Sequence, residues 1–123
     1  MKEQTIKRWA KALLSGKYEQ TQGSLCTEDG KMCCLGVLID TEFDGDWVLL
    51  QRDVTNTPRY TMLGNGGTPP VEVQYQLGIS LELEDLCVRA NDDQHKSFKE
   101  IAEALLNPRT RIGKAARKGY CGT

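Results

Sequence analysis

Apolar residues recur with a helical period at the start of the chain. Ile6, Trp9, Ala10, Leu13 and Leu14 fall at i, i+3, i+4, i+7 and i+8, which predicts one amphipathic helix. Lys7, Lys11 and Lys17 lie outside that stripe, and Ser15-Gly16 supplies a left-handed stop. A polar link, 17–23, follows. Leu25-Cys26 and Met32-Cys33 then flank Thr27-Glu28-Asp29-Gly30-Lys31, and Asp-Gly between two short apolar pairs predicts a hairpin. The run from Cys34 to Phe43 is too short for periodicity to separate strand from helix. Leu35, Leu38 and Ile39 share a helical face with Cys34, so the reading favours a helix, with Gly36 as a close-packing point.

Beyond the break at Asp44-Gly45-Asp46, Trp47-Val48-Leu49-Leu50 reads as a strand and Arg59-Tyr60-Thr61-Met62-Leu63 as its partner. Gly64-Asn65-Gly66-Gly67 reads as a flexible loop. Thr68-Pro69-Pro70 opens a helix that Gly78 closes. Leu81, Leu83 and Leu86 are ambiguous between strand and helix, and Asn91-Asp92-Asp93 marks a turn. Ser97-Phe98-Lys99-Glu100 is a capping box that starts a helix with Phe98, Ile101, Ala102 and Leu105 on one face. Asn107-Pro108 stops it, and the remaining residues have three glycines and little periodicity. The expected architecture is a single α+β domain over 1–123: an N-terminal helix, a small antiparallel sheet, two further helices, and a basic C-terminal tail, 107–123.

Composition adds little until charge is divided along the chain. With 123 residues, 39% hydrophobic and 27% charged, the sequence suits one domain with one core. Its formal net charge of −1 conceals an asymmetry. Five basic residues (Arg109, Arg111, Lys114, Arg117, Lys118) and no acids lie in the tail, so the rest of the chain holds 11 of the 16 basic groups and all 17 acids. An acidic body with a basic tail points to an anionic ligand or an acidic neighbour, and argues against a duplex nucleic acid. No apolar run approaches a membrane span, and the N-terminus leads into an amphipathic pattern, so the expected location is the cytoplasm, with no membrane partner.

Candidate chemistry centres on Cys33-Cys34. Five cysteines, at 26, 33, 34, 87 and 121, are an odd number, which excludes complete disulfide pairing within one chain. Adjacent cysteines with a single histidine, His95, do not make a zinc ligand set. Asp40-x-Glu42-x-Asp44-Gly45-Asp46 resembles half of a calcium loop, but the twelfth position is Gln51, so a surface turn is the better reading. A thiol enzyme would require a basic partner for Cys33 or Cys34, and the sequence places none nearby. The cysteines therefore read as packing. No cofactor is expected, and no catalytic constellation emerges.

The set Trp9-x-x-Ala12-Leu13-x-Ser15-Gly16-x-Tyr18-x-Gln20-Thr21-x-Gly23-x-Leu25, Cys33-Cys34-Leu35-Gly36-Val37-Leu38, Pro69-Pro70-Val71, Leu77-Gly78, Asn91-Asp92 and Ser97-Phe98-x-Glu100-Ile101-Ala102 resembles a group of small phage and prophage proteins, and through it the Thoeris anti-defence sponge proteins of phages. The resemblance implies a phage-encoded, oligomeric α+β protein working in an infected bacterial host. Such a protein sequesters a cyclic ADP-ribose-type signal without cleaving it. The residues suit a phosphorylated nucleotide ligand. Arg109 and Arg111 are candidates for phosphate, Asn91 and Asp92 for base or ribose, and Phe98 for an aromatic face, with Phe43, Trp47 and Tyr60 as further faces. Asn91 and Asp92 belong to the resemblance, whereas the arginines rest on chemistry. The competing reading is a phage protein that inhibits or redirects a host protein through an exposed face.

Overall fold

A computed structural model describes residues 1–27, 29–43, 69 and 71–118. Helix α1 spans Glu3–Leu14, α2 Cys34–Glu42, α3 Val71–Leu77 and α4 Leu81–Val88. A π-helical turn, Arg89–Asp93, continues α4, and α5 (Phe98–Leu106) and α6 (Arg111–Arg117) follow. Helix α1 packs on α5 and α2, and α6 packs on α4 and α5. One buried cluster joins Ile6, Trp9 and Leu13 of α1, Leu35, Leu38 and Ile39 of α2, Leu83 and Cys87 of α4, and Ile101 and Leu105 of α5.

The described residues are helical with no β-sheet, which corrects the expected α+β fold with its small antiparallel sheet. The hairpin is where the difference can be followed. Met32 makes single bridges to Gln20 and to Cys26, and no ladder extends from either. Thr27 N–H donates to Lys31 O at 2.8 Å, and Gly30 takes the left-handed φ of 89° that closes the turn. The turn forms as the Asp-Gly signal implies. Its second arm ends at once, because Cys33 is already the residue that leads into α2. An arm of two residues cannot build a ladder. The expected strands at Trp47–Leu50 and Arg59–Leu63, the Gly64–Gly67 loop and Thr68 lie outside the described residues.

Other expectations hold. Helix α1 buries its predicted stripe, apart from exposed Leu14, and Gly16 has the left-handed φ of 78°. Cys34–Glu42 is helical. Gly78, with φ 75°, follows α3. The Ser97–Glu100 capping box is complete, with Glu100 N–H donating to Ser97 Oγ at 3.1 Å and Ser97 N–H to Glu100 Oε1 at 3.0 Å. The ambiguous leucines resolve as helix because Ser80 caps α4, accepting from Leu83 N–H at 3.1 Å.

The expected irregular tail contains α6. Thr110 caps it, accepting from Gly113 N–H at 2.9 Å, and Ile112, Ala115 and Ala116 are buried. Gly113 is part of the reason that helix packs closely: a Cβ there would stand 2.0 Å from Asn107 O. The same device holds α2, since a Cβ on Gly36 would lie 2.0 Å from Leu25 O. That backbone oxygen cannot give way as a flexible side chain would. Gly36→Ala is therefore expected to cost about 1–3 kcal/mol or more, read as a lowered urea midpoint, and an unchanged midpoint would contradict this packing.

Candidate functional site

Asn91 sits in the π turn with 1% of its surface exposed. Its Oδ1 accepts from Gln20 Nε2 at 2.9 Å and from Cys34 N–H at 3.2 Å. Its Nδ2 donates to Thr21 O and to Asp92 Oδ1, both at 2.8 Å. A primary amide has two donor hydrogens and two acceptor lone pairs, and all four are used within the protein. Gln20 Nε2 also donates to Lys96 O at 2.7 Å. Nearby, Trp9 Nε1 donates to Cys34 O at 2.8 Å. Residues expected to contact a base or ribose thus form a buried knot between the 20–21 link, the start of α2 and the π turn.

The remaining sequence-predicted site residues separate. Phe98 is buried in the core at the start of α5. Arg109 is exposed in the turn before α6, its N–H donating to Asn107 Oδ1 at 3.0 Å. Arg111 lines a groove of about 330 Å³ between the end of α4, the π turn, α5 and the start of α6. Arg89 and Lys96 join it there, with Leu86, Ala90, Ile101, Ala104 and Ile112 as apolar lining. Two carboxylates also line the groove, and both have partners. Asp85 pairs with Arg89 at 3.0 Å. Glu100 serves the capping box, whose hydrogen bonds from Ser97 hold its carboxyl below the ordinary value. Lys96 and Arg111 have no ion pair among the described residues. The sequence signals that would have added Arg89 and Lys96 are weak, since both are exposed cations flanking a turn.

The rest of the basic tail is engaged differently. Arg117 pairs with Glu3 at 2.8 Å and donates to Leu105 O at 2.7 Å, tying the start of α1 to the end of α5. Lys118 pairs with Glu82 at 3.3 Å.

The thiols do not resemble nucleophiles. Cys26, Cys33, Cys34 and Cys87 are buried and unbridged. Burial, reinforced by Cys34, pushes the Cys33 thiol well above its ordinary value. Contact with the Cys87 thiol, together with burial, does the same for Cys34. Among the described residues no cluster of His, Cys, Asp and Glu could hold a metal ion, and no helix is long and apolar enough to cross a membrane.

Taken together, the fold and groove define a small helical domain with a cation-rimmed, apolar-lined cleft. The chain belongs to the family described as a domain of unknown function, DUF8296, which it matches over residues 1–83. The match ends within α4, so the groove from Asp85 to Ile112 is built by residues beyond it. No curated protein and no solved structure matches the chain.

Two outcomes test this geometry. Asn91→Leu keeps the branched shape and leaves Cys34 N–H and Thr21 O without partners, so it is expected to lower stability by about 2–4 kcal/mol in denaturant titration; a loss under about 0.5 kcal/mol would mean the knot carries little. The second concerns Glu84, whose half-buried carboxylate has one oxygen, Oε2, without a hydrogen-bond partner. Burial, with Asp85 beside it, raises its pKa above the ordinary 4.5. A carboxyl raised in the folded state favours folding below pH 4.5, and that contribution is lost as pH rises through the folded value. Glu84→Gln should therefore raise the melting temperature at pH 7 and leave it nearly unchanged at pH 4; the reverse order would contradict the burial argument.

Proposed function

We propose that the protein is a non-catalytic binder that holds a small phosphorylated nucleotide in the groove between α4, α5 and α6. The observation that carries this reading is the convergence of Arg111, Lys96 and Arg89 on one apolar-lined cleft. Its volume lies at the small end of ligand sites, which run from about 300 to 1,000 Å³. Leu86 and Ala104, both half-buried, suit the face of a base, Arg111 and Lys96 suit phosphate, and Gln94 and Thr110 offer polar contacts at the rim. Phosphate affinity here would come from Lys96 and Arg111, which have no ion pair among the described residues. Asn91 and Asp92 act in this reading through the fold, not by touching ligand.

The resemblance to phage anti-defence sponges supports a cyclic ADP-ribose-type signal as the specific ligand, held intact and so withdrawn from its receptor. The groove favours this over docking on a host protein, because a cleft with converging cations suits a small anion better than a flat surface does. The protein is incubated with cyclic ADP-ribose, separated from free ligand, heated, and the released material is identified by mass spectrometry. Intact ligand is expected. Lys96→Glu/Arg111→Glu should weaken uptake at least about tenfold, the equivalent of one lost charge-assisted contact. A changed product, no uptake, or uptake unaffected by the double substitution would overturn the proposal.

A further inference from the structure

The groove between α4, α5 and α6 lies beyond the family match, yet a residue inside the match reaches its edge. We infer, resting on the nucleotide reading of that groove, that Gln20 is a positioning residue for the ligand: it holds the 94–96 turn so that Lys96 stands where a phosphate can meet it.

The turn contributes Gln94 and Lys96 to the groove lining. Two bonds tie it back to the π turn. Gln94 N–H donates to Arg89 O at 2.8 Å, and Lys96 N–H donates to Ala90 O at 2.9 Å. Between them His95 has a φ of 51°, in the left-handed region that is uncommon for a residue with a Cβ. On the far side, Ser97 is committed to capping α5. An exposed turn of this kind opens readily unless another element holds it. Among the described residues, the one hydrogen bond that reaches 94–96 from outside 89–100 runs from Gln20 Nε2 to Lys96 O, at 2.7 Å.

Gln20 is itself fixed at both ends. Its backbone bridges to Met32, flanked by Thr21 N–H donating to Met32 O and Met32 N–H donating to Glu19 O, both at 2.9 Å. Met32 is buried in the core. The Gln20 amide nitrogen has two hydrogens, and both are used, one on Asn91 Oδ1 at 2.9 Å and the other on Lys96 O. Methionine at this position keeps the length of the side chain and loses both bonds. Asn91 Oδ1 would keep the Cys34 N–H as a partner, whereas Lys96 O would keep none among the described residues.

The two groove cations without an ion pair among the described residues therefore have different supports. Lys96 depends on Gln20. Arg111 belongs to α6, which Thr110 caps, and no bond from Gln20 reaches it. Loss of the Gln20 amide should act through Lys96 and leave the contribution of Arg111 intact. A residue that merely supports the fold would weaken both alike.

Cyclic ADP-ribose is titrated calorimetrically into the full chain, into Gln20→Met, Lys96→Gln and Arg111→Gln, and into the two double variants that contain Gln20→Met. Exchange of the Lys96 N–H is followed by NMR in the same proteins without ligand. Gln20→Met should weaken binding about fivefold, the equivalent of one lost hydrogen bond. It should do the same in the Arg111→Gln background and have next to no effect in the Lys96→Gln background. Without ligand it should speed exchange at Lys96 by at least about tenfold while Ile101 is unchanged. Binding that Gln20→Met leaves unaltered, or weakens equally in both backgrounds, would overturn the positioning role and leave the nucleotide reading standing. If the unaltered chain takes up no cyclic ADP-ribose, the nucleotide reading falls and exchange decides the rest: faster exchange confined to the 94–96 turn supports the hold of Gln20 on Lys96, and unchanged exchange overturns it.

Discussion

Asn91 caps α2 from 57 positions away along the chain. The first N–H groups of a helix have no partner within it, and Cys33, the residue before α2, makes no side-chain cap. Asn91 Oδ1 takes the Cys34 N–H in its place. The same amide holds Gln20 and Thr21, and Gln20 reaches on to Lys96. Around this one side chain the most buried helix, the polar link before it and the π turn are held in register. Asparagine is the residue that does this: aspartate brings no donors and a buried charge, and leucine brings neither donors nor acceptors. The π turn carries Asn91 into the interior, while Arg89 at its start lines the groove.

Elements set by local chemistry were legible in the sequence. The stripe of α1, the stop at Gly16 and the Ser97 capping box each depend on residues a few positions apart. The helix at Cys34 was legible from the face shared by Leu35, Leu38 and Ile39. The absence of a sheet among the described residues was harder to see. Asp29-Gly30 does make a tight turn, but a hairpin also needs room for a ladder, and α2 begins too soon. Helix α6 was hidden because Gly113 reads as a breaker when counted by propensity, whereas its lack of a side chain is what admits Asn107 O. Asn91 was singled out from sequence as a binding residue. Its knot depends on partners 57 to 71 positions distant, which no local pattern displays.

Charge shows the same division between local and distant effects. The tail's basic residues suggested a single anion-facing element. Arg117 and Lys118 are instead paired with Glu3 and Glu82. Arg111 is left on the groove, together with two cations from other elements. The cysteine pair, the most conspicuous feature of the chain, became packing material. Burial at Cys33, and contact with Cys87 together with burial at Cys34, disfavour the thiolate, while the backbone N–H and C=O of Cys34 are held by Asn91 and Trp9.

Because the first amide of a helix ordinarily exchanges quickly with solvent, the Cys34 N–H reports on the Asn91 cap directly. Native-state hydrogen exchange followed by NMR measures it. A held cap predicts that Cys34 exchanges as slowly as core amides such as Ile101, through global unfolding alone. Exchange of Cys34 at the rate of exposed loop amides such as Lys17 would contradict the long-range cap, and with it the claim that Asn91 organises the fold.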